Sequence, residues 1–207
     1  MKKVMKSLSF LVAIAFIGIS CSNPKPVKTI ENLKSAIKGE TSANAKYAAF
    51  SKKAAGQGYP NISKMFAATS AAEAVHIKNH KAVLTKLGES YESTPDSAKI
   101  DSTVINLQTG IDGETYEVTT MYPGFIKIAQ LENSKDAITS FTWAIDAERK
   151  HARVYSDALK VLKSTGSDAT VSATWYVCPK CGNVYSSIDG VESCELCGTA
   201  SKAFQKM

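Results

Sequence analysis

AEAVHIKNH at residues 72–80 and AERKHA at residues 147–152 each place a glutamate three positions before a histidine. The chain has only three histidines, and two of them, His76 and His151, lie in these repeats. Around the first repeat, Ile62, Phe66, Thr69, Glu73, His76, His80, Val83 and Leu87 follow at alternating steps of four and three. That spacing marks one helix face turned toward a bundle core. Glu73 and His76 therefore occupy the middle of a face that should be buried.

Working outward, three more segments carry the same period. Ile30, Leu33, Ile37, Glu40, Asn44 and Tyr47 form one stripe, and Val104, Leu107, Ile111, Glu114, Val118, Met121 and Phe125 another. Ile138, Phe141, Ile145, Glu148, Tyr155, Leu159 and Leu162 form the last. Glycine and proline are sparse before residue 164, so four long helices are predicted, at about 27–55, 61–88, 97–131 and 134–163. Pro123 should kink the third. Every stripe has a glutamate near its middle. A lone buried carboxylate costs several kcal/mol unless it is paired, and the stripes hold no lysine. A cation is expected among them, or the helices do not pack in this way.

Glutamate and histidine at i and i+3 share one helix face. Carboxylate and imidazole together suit iron or manganese better than calcium, which prefers oxygen alone. Two E-x-x-H helices, with Glu40 and Glu114 from the other two, match the pattern of a dimetal carboxylate bundle. Glu117, one turn after Glu114, adds a second carboxylate in the same direction. An isolated E-x-x-H is common on solvated helices, but two on apolar faces of alternate helices are not. His80 has no glutamate three residues before it, and reads as a histidine that supports a ligand or packs in the core. Tyr47 and Tyr122 read either as redox or hydrogen-bonding neighbours of the metals or as core aromatics.

The C-terminus changes character. STGSDATVSA at 164–173 reads as a flexible linker. After it, WYVCPKCGNVYSSIDGVESCELCG brings Cys178, Cys181, Cys194 and Cys197 into two C-x-x-C knuckles. Four thiolates in this arrangement suit tetrahedral zinc or iron, with disulfides as the alternative. Zinc would be structural, whereas iron would pass single electrons.

At the other end, Lys2, Lys3 and Lys6 precede an uncharged run from Leu8 to Ile19, too short for the ~20 residues of a spanning helix. GISC then SNPKPV follows, so an export signal over 1–21 is expected, ending in Cys21 as a lipidated residue, with 22–28 as a tether. Gly18 departs from the bulky aliphatic residue usual three places before such a cysteine. Lipidation explains the odd fifth cysteine and implies an exported lipoprotein, anchored to a membrane and facing the periplasm or cell envelope. Without the three signal lysines the chain has 22 basic and 19 acidic side chains, net +3. That bias, with no basic cluster interleaved with aromatics, is too weak to argue for nucleic acid, and no nucleic-acid partner is expected.

KGETSANAKYAAF (38–50), EAVH (73–76), GETYEVTTMYPGF (113–125), AERKHARVY (147–155) and WYVCPKCG (175–182) together resemble the rubrerythrin family over nearly all of the mature chain. The resemblance implies an all-α, ferritin-like four-helix bundle at 29–164, a linker at 165–173 and a small rubredoxin-like metal-binding domain at 174–207. It implies Glu40, Glu73, Glu114, Glu117, Glu148, His76 and His151 as diiron ligands, and the four cysteines as ligands of a rubredoxin-type iron. Tyr47 and Tyr122 fall where the family has tyrosines beside the diiron site; with Glu117 they are implied as catalytic, and glutamates able to switch between metal and solvent are implied to move protons. The implied reaction is reduction of hydrogen peroxide to water, with an external reductase or rubredoxin as electron donor. No Gly-rich dinucleotide fingerprint occurs in the chain. The resemblance further implies a homodimer that brings one subunit's rubredoxin iron near the other's diiron site. The export signal departs from a family that is typically cytoplasmic. Two rival readings are a ferritin-like protein that oxidises iron and a non-enzymatic metal-binding lipoprotein with a zinc ribbon.

Overall fold

Gly58, at φ +82°, and Pro60, in the first turn of the next helix, separate the first two long helices. Proline fits there because its missing N–H is one that a helix start leaves unpaired anyway. The computed structural model describes residues 24–207, so the signal segment and Cys21 lie outside the described residues. The helices are α1 (Val27–Gly56), α2 (Pro60–Lys86), α3 (Thr103–Tyr116), α4 (Tyr122–Leu131) and α5 (Lys135–Thr165). A π-helical turn, Glu117–Met121, joins α3 to α4.

The third helix begins at Thr103, not near Ser97 as the sequence suggested. Ile100 would continue the stripe one turn before Val104 but is exposed, and the Ser102 hydroxyl accepts from Ile105 N–H at 3.4 Å to cap the helix. Residues 87–102 instead run back along α1. Glu89 pairs with Lys25 and Lys34, Asp96 N–H donates to Ser42, and Thr103 N–H donates to Gln57 near the α1 terminus. This return places α3 parallel to α2, the long crossover of ferritin-like bundles.

The kink expected at Pro123 takes the form of the π turn just before it. Proline has no N–H to donate and its ring crowds the carbonyl four residues back; a wider turn absorbs both. The extra residue also rotates the buried face. Met121, on the expected stripe, is only half-buried, whereas Tyr122 is fully buried.

Two apolar layers sandwich the polar residues. Tyr47, Phe50, Phe66, Tyr155 and Leu159 belong to one, and Leu33, Ile37, Leu84, Phe141 and Ile145 to the other. Gly110 lets α3 approach α5, because a Cβ there would lie 2.8 Å from the Tyr155 ring. After the αL cap at Gly166, the linker is pinned rather than free. Buried Asp168 accepts from Asn61 and Ile62 N–H at 2.7 and 3.0 Å, capping α2 from outside it. The terminal module is a three-stranded antiparallel sheet of order β2-β1-β3, with β1 Tyr176–Val177, β2 Val184–Tyr185 and β3 Gln205–Lys206.

Candidate metal centres

Four helices each send one or two acids or imidazoles to the same level of the bundle. Glu40, Glu73, His76 and Glu148 form one group whose ligand atoms lie within 4.8 Å of one another, and Glu73, Glu114, Glu148 and His151 form a second. All are buried. Glu73 and Glu148 belong to both groups, and each sends one oxygen to each histidine. Glu73 Oε2 and Oε1 stand 2.9 and 3.3 Å from the Nδ1 atoms of His76 and His151. Glu148 Oε1 and Oε2 stand 2.8 and 2.6 Å from the same two atoms. The arrangement is two overlapping sites with two shared carboxylates, one terminal carboxylate each and one imidazole each.

The tyrosines complete a near-symmetry. Tyr47 OH donates to Glu114 Oε1 at 2.6 Å, and Tyr122 OH donates to Glu40 Oε1. Both of the open readings for these residues apply at once: they are core aromatics whose hydroxyls hold the two terminal carboxylates. The sequence stripe missed Tyr122 because no 3.6-residue period anticipates a π turn. Glu117 opens that turn. It is half-buried and outside both groups of four. Burial first, then the charges of Glu148 and Glu73, push its carboxyl well above the usual range. His80 sits one turn beyond His76, with Nδ1 2.8 Å from Ser140 Oγ and Nε2 3.2 Å from Tyr122 OH.

The donor set fits a pair of divalent ions. Both Glu148 oxygens, Glu73 Oε1, Glu40 Oε2 and both His151 nitrogens are buried with no aligned hydrogen bond, despite N···O approaches as short as 2.6 Å. Their lone pairs converge on shared points rather than on one another. Left so, each would cost on the order of 1–3 kcal/mol. In the absence of a cation, protons would have to balance the charge. Burial and neighbouring carboxylates push Glu40 and Glu114 well above the usual carboxyl range. The imidazoles hold Glu73 and Glu148 below it, against burial. Burial would lower His151, yet Glu148 and Glu73 raise it to about 9. Protons thus offer a second route to neutrality beside the cation expected from the sequence.

The cysteine module makes a separate centre. Cys178, Cys181, Cys194 and Cys197 place their sulfurs within 4.8 Å of one another, and none forms a disulfide. The Cys178–Cys197 and Cys181–Cys194 sulfurs are 3.5 Å apart. That is far beyond a covalent ~2.05 Å and near the edge of about 3.8 Å that a tetrahedron with 2.3 Å metal–sulfur bonds requires. Tyr185 OH donates to Cys194 Sγ at 3.4 Å.

The two centres touch within one chain. His76 Nε2 donates to the carbonyl of Cys181 at 3.1 Å, and Asn79 donates to the carbonyl of Lys180 at 2.8 Å. Gly182 makes the approach possible: it has φ +83°, and a Cβ there would lie 2.4 Å from His76 Nε2. One backbone carbonyl therefore separates a residue of the four-sulfur group from an imidazole of the dimetal group. The same hydrogen bond orients the ring, so that Nδ1 faces the Glu73 and Glu148 carboxylates where a metal would sit.

Comparison with known proteins agrees with this geometry. Residues 31–159 match the rubrerythrin family. Nigerythrin of Nitratidesulfovibrio vulgaris is 41% identical over 170 residues, covering 82% of this chain and 81% of the relative. Rubrerythrin-2 of Clostridium acetobutylicum is 32% identical over 185 residues, covering 87% and 97%. The solved structure of fully reduced, all-ferrous nigerythrin superposes with a TM-score of 0.79 at 37% identity, covering 94% of this chain and 91% of that one. A Desulfovibrio desulfuricans bacterioferritin, at 18% identity and a TM-score of 0.65, shares the fold. With two overlapping carboxylate–imidazole sites in a ferritin-like bundle and a rubredoxin-like four-cysteine site beside them, this chain is a diiron protein of the rubrerythrin family.

Proposed function

We propose that this chain reduces hydrogen peroxide to water at its dimetal site, with electrons arriving singly through the four-cysteine iron. The observation that carries the reading is the His76 Nε2 bond to the Cys181 carbonyl, which joins the two centres by one short polar contact. A ribbon built only to hold zinc has no need to lean on a ligand of another site. Bound there, two ferrous ions would supply Lewis acidity and one electron each, the two electrons that breaking the O–O bond requires.

The chain's own residues set the stage for that chemistry. Glu73 and Glu148 hold both positions together, and their fixed geometry favours a closely spaced pair. The Tyr47 and Tyr122 hydroxyls keep Glu114 and Glu40 oriented and can donate hydrogen bonds as charge shifts. Glu117, half-buried on a π turn, is the carboxylate free to move toward or away from the site and carry a proton. π turns interrupt α-helices frequently at functional positions. The electrons come from a separate reductase or rubredoxin. The apolar run and Cys21 support export and a lipid anchor, which would set the protein at the envelope to meet incoming peroxide. A homodimer would let the Cys181–His76 contact form between subunits as well as within one.

The test is spectroscopic. Dithionite should bleach the iron–thiolate absorption and peroxide should restore it. Glu148→Ala with His151→Ala should abolish diiron loading and peroxide turnover while leaving the thiolate spectrum intact. Turnover that survived this double change would place the chemistry elsewhere. A colourless, zinc-filled ribbon without turnover would support the metal-binding alternative.

A further inference from the structure

Tyr122 is not the end of a hydrogen-bond chain but its inner third. Its hydroxyl donates to Glu40 Oε1 and lies 3.2 Å from His80 Nε2. His80 Nδ1 lies 2.8 Å from Ser140 Oγ. Tyr122 and His80 are fully buried, and Ser140 nearly so. Ser140 lines an open cleft of about 180 Å³ between α2 and α5, shared with Asn79, Lys86, Asp136, Thr139 and Trp143. Lys86 and Asp136 pair at 2.8 Å at its mouth. A continuous polar thread therefore crosses an apolar layer, past Phe141 on the flank of His80, from solvent to a carboxylate of the dimetal site.

Its polarity can be read from chemistry. The Tyr122 hydroxyl has one proton and donates it to Glu40. Burial pulls His80 down to about 3, so the ring is neutral and has one donor and one acceptor. Since Tyr122 spends its proton on Glu40, it accepts from His80 Nε2–H. Nδ1 then accepts from the Ser140 hydroxyl. All three donors point inward, and the Ser140 oxygen keeps lone pairs free for a water in the cleft.

We propose that Ser140, His80 and Tyr122 form a proton relay from the α2–α5 cleft to the dimetal site. A hydronium in the cleft gives a proton to Ser140 Oγ, and the serine's own proton passes to His80 Nδ1. The Nε2 proton passes to the Tyr122 oxygen, and the Tyr122 proton passes to Glu40 Oε1. One proton leaves the cleft and one arrives, and no relay member changes its net charge. The ring ends as the Nδ1–H tautomer, and it must lose that proton and regain one at Nε2 before the next passage. The relay rests on the peroxide reading only for its purpose, since that reaction consumes two protons per turnover. His80 and Ser140 act through Tyr122 and are relay and positioning residues.

The first experiment needs no turnover. In the full-length chain loaded with zinc, nitrogen-15 NMR should find His80 protonated at Nε2 and bare at Nδ1. Exchange of that ring proton with deuterated water should slow about tenfold or more in Ser140→Ala and recover in Ser140→Thr. An Nδ1-protonated ring, or an exchange rate indifferent to Ser140→Ala, would overturn the proposal. In the iron-loaded protein, Ser140→Ala should raise the solvent isotope effect on peroxide-driven reoxidation at unchanged iron content, again with recovery in Ser140→Thr. A merely structural serine would change iron content and leave the isotope effect alone, which would count against the relay. If NMR supports the thread while the wild-type protein fails to consume peroxide, the relay stands and the peroxide reading falls.

Discussion

Gly182→Ala tests the contact between the two centres. The added methyl would sit 2.4 Å from His76 Nε2, 2.8 Å from its Cδ2 and 3.1 Å from the Ala72 carbonyl oxygen. One of those neighbours is helix backbone, so the cysteine loop and not α2 must retreat. The φ of +83° adds about 1–2 kcal/mol for any residue with a Cβ, and overpacking of this kind costs about 1–3 kcal/mol. Opposing them are two hydrogen bonds, from His76 to Cys181 O and from Asn79 to Lys180 O, each worth about 1 kcal/mol net. Net of those bonds, the docked arrangement should lose up to about 3 kcal/mol, centred on about 1.5 kcal/mol, which lowers its docking equilibrium constant about tenfold. Stopped-flow mixing of the reduced protein with peroxide, followed at the iron–thiolate band, should show that centre recovering its colour about tenfold more slowly. Iron content and the thiolate spectrum should stay near wild type. Asn79→Ala, which leaves the knuckle untouched, should slow the same step more mildly. Unchanged recovery in both variants would refute the argument that this contact carries the electrons.

The remaining expectations follow from the same geometry. Asp168→Ala removes the external cap of α2 and should lower stability to urea by about 1–2 kcal/mol, with faster proteolysis of the 166–173 segment. Gly110→Ala drives a methyl into the Tyr155 ring and should cost about 1–3 kcal/mol in the same assay. His80 sets a pH dependence. Its folded value of about 3 lies below the unfolded ~6.5, so between those pH values the unfolded chain binds a proton that the folded one refuses. Stability should fall as pH drops through that window, by up to about 1.4 kcal/mol per unit. Denaturation of metal-free His80→Gln should show a shallower acid slope than wild type, and equal slopes would contradict the burial of a neutral ring.

Much of the bundle was legible because its pattern is local. The four-and-three steps around Glu73 and His76 recur on α1 and α5, and Glu40 and Glu148 fall where those steps put them. Three features were not legible, each for a physical reason. The π turn before Pro123 inserts a residue into the period, so Tyr122 rather than Met121 turns inward. The linker looked flexible from its composition, but Asp168 finds the unpaired N–H groups of α2 more than one hundred positions away, a partner no local window contains. The docking of the cysteine knuckle on His76 depends on Gly182, whose sequence role was only that of a residue after a cysteine. His80 was expected to support a ligand or pack in the core. It packs in the core and reaches a ligand only through Tyr122.

The account depends most on the convergence of buried acids on two metal positions. Anomalous diffraction at the iron edge from the natively loaded protein tests this directly. Two peaks should appear in the bundle, bridged by Glu73 and Glu148, with one also reached by Glu40 and His76 and the other by Glu114 and His151. A third should lie among the four cysteines. Protein that consumes peroxide yet shows no peaks between Glu73 and Glu148, its acids neutralised by protons alone, would contradict the account.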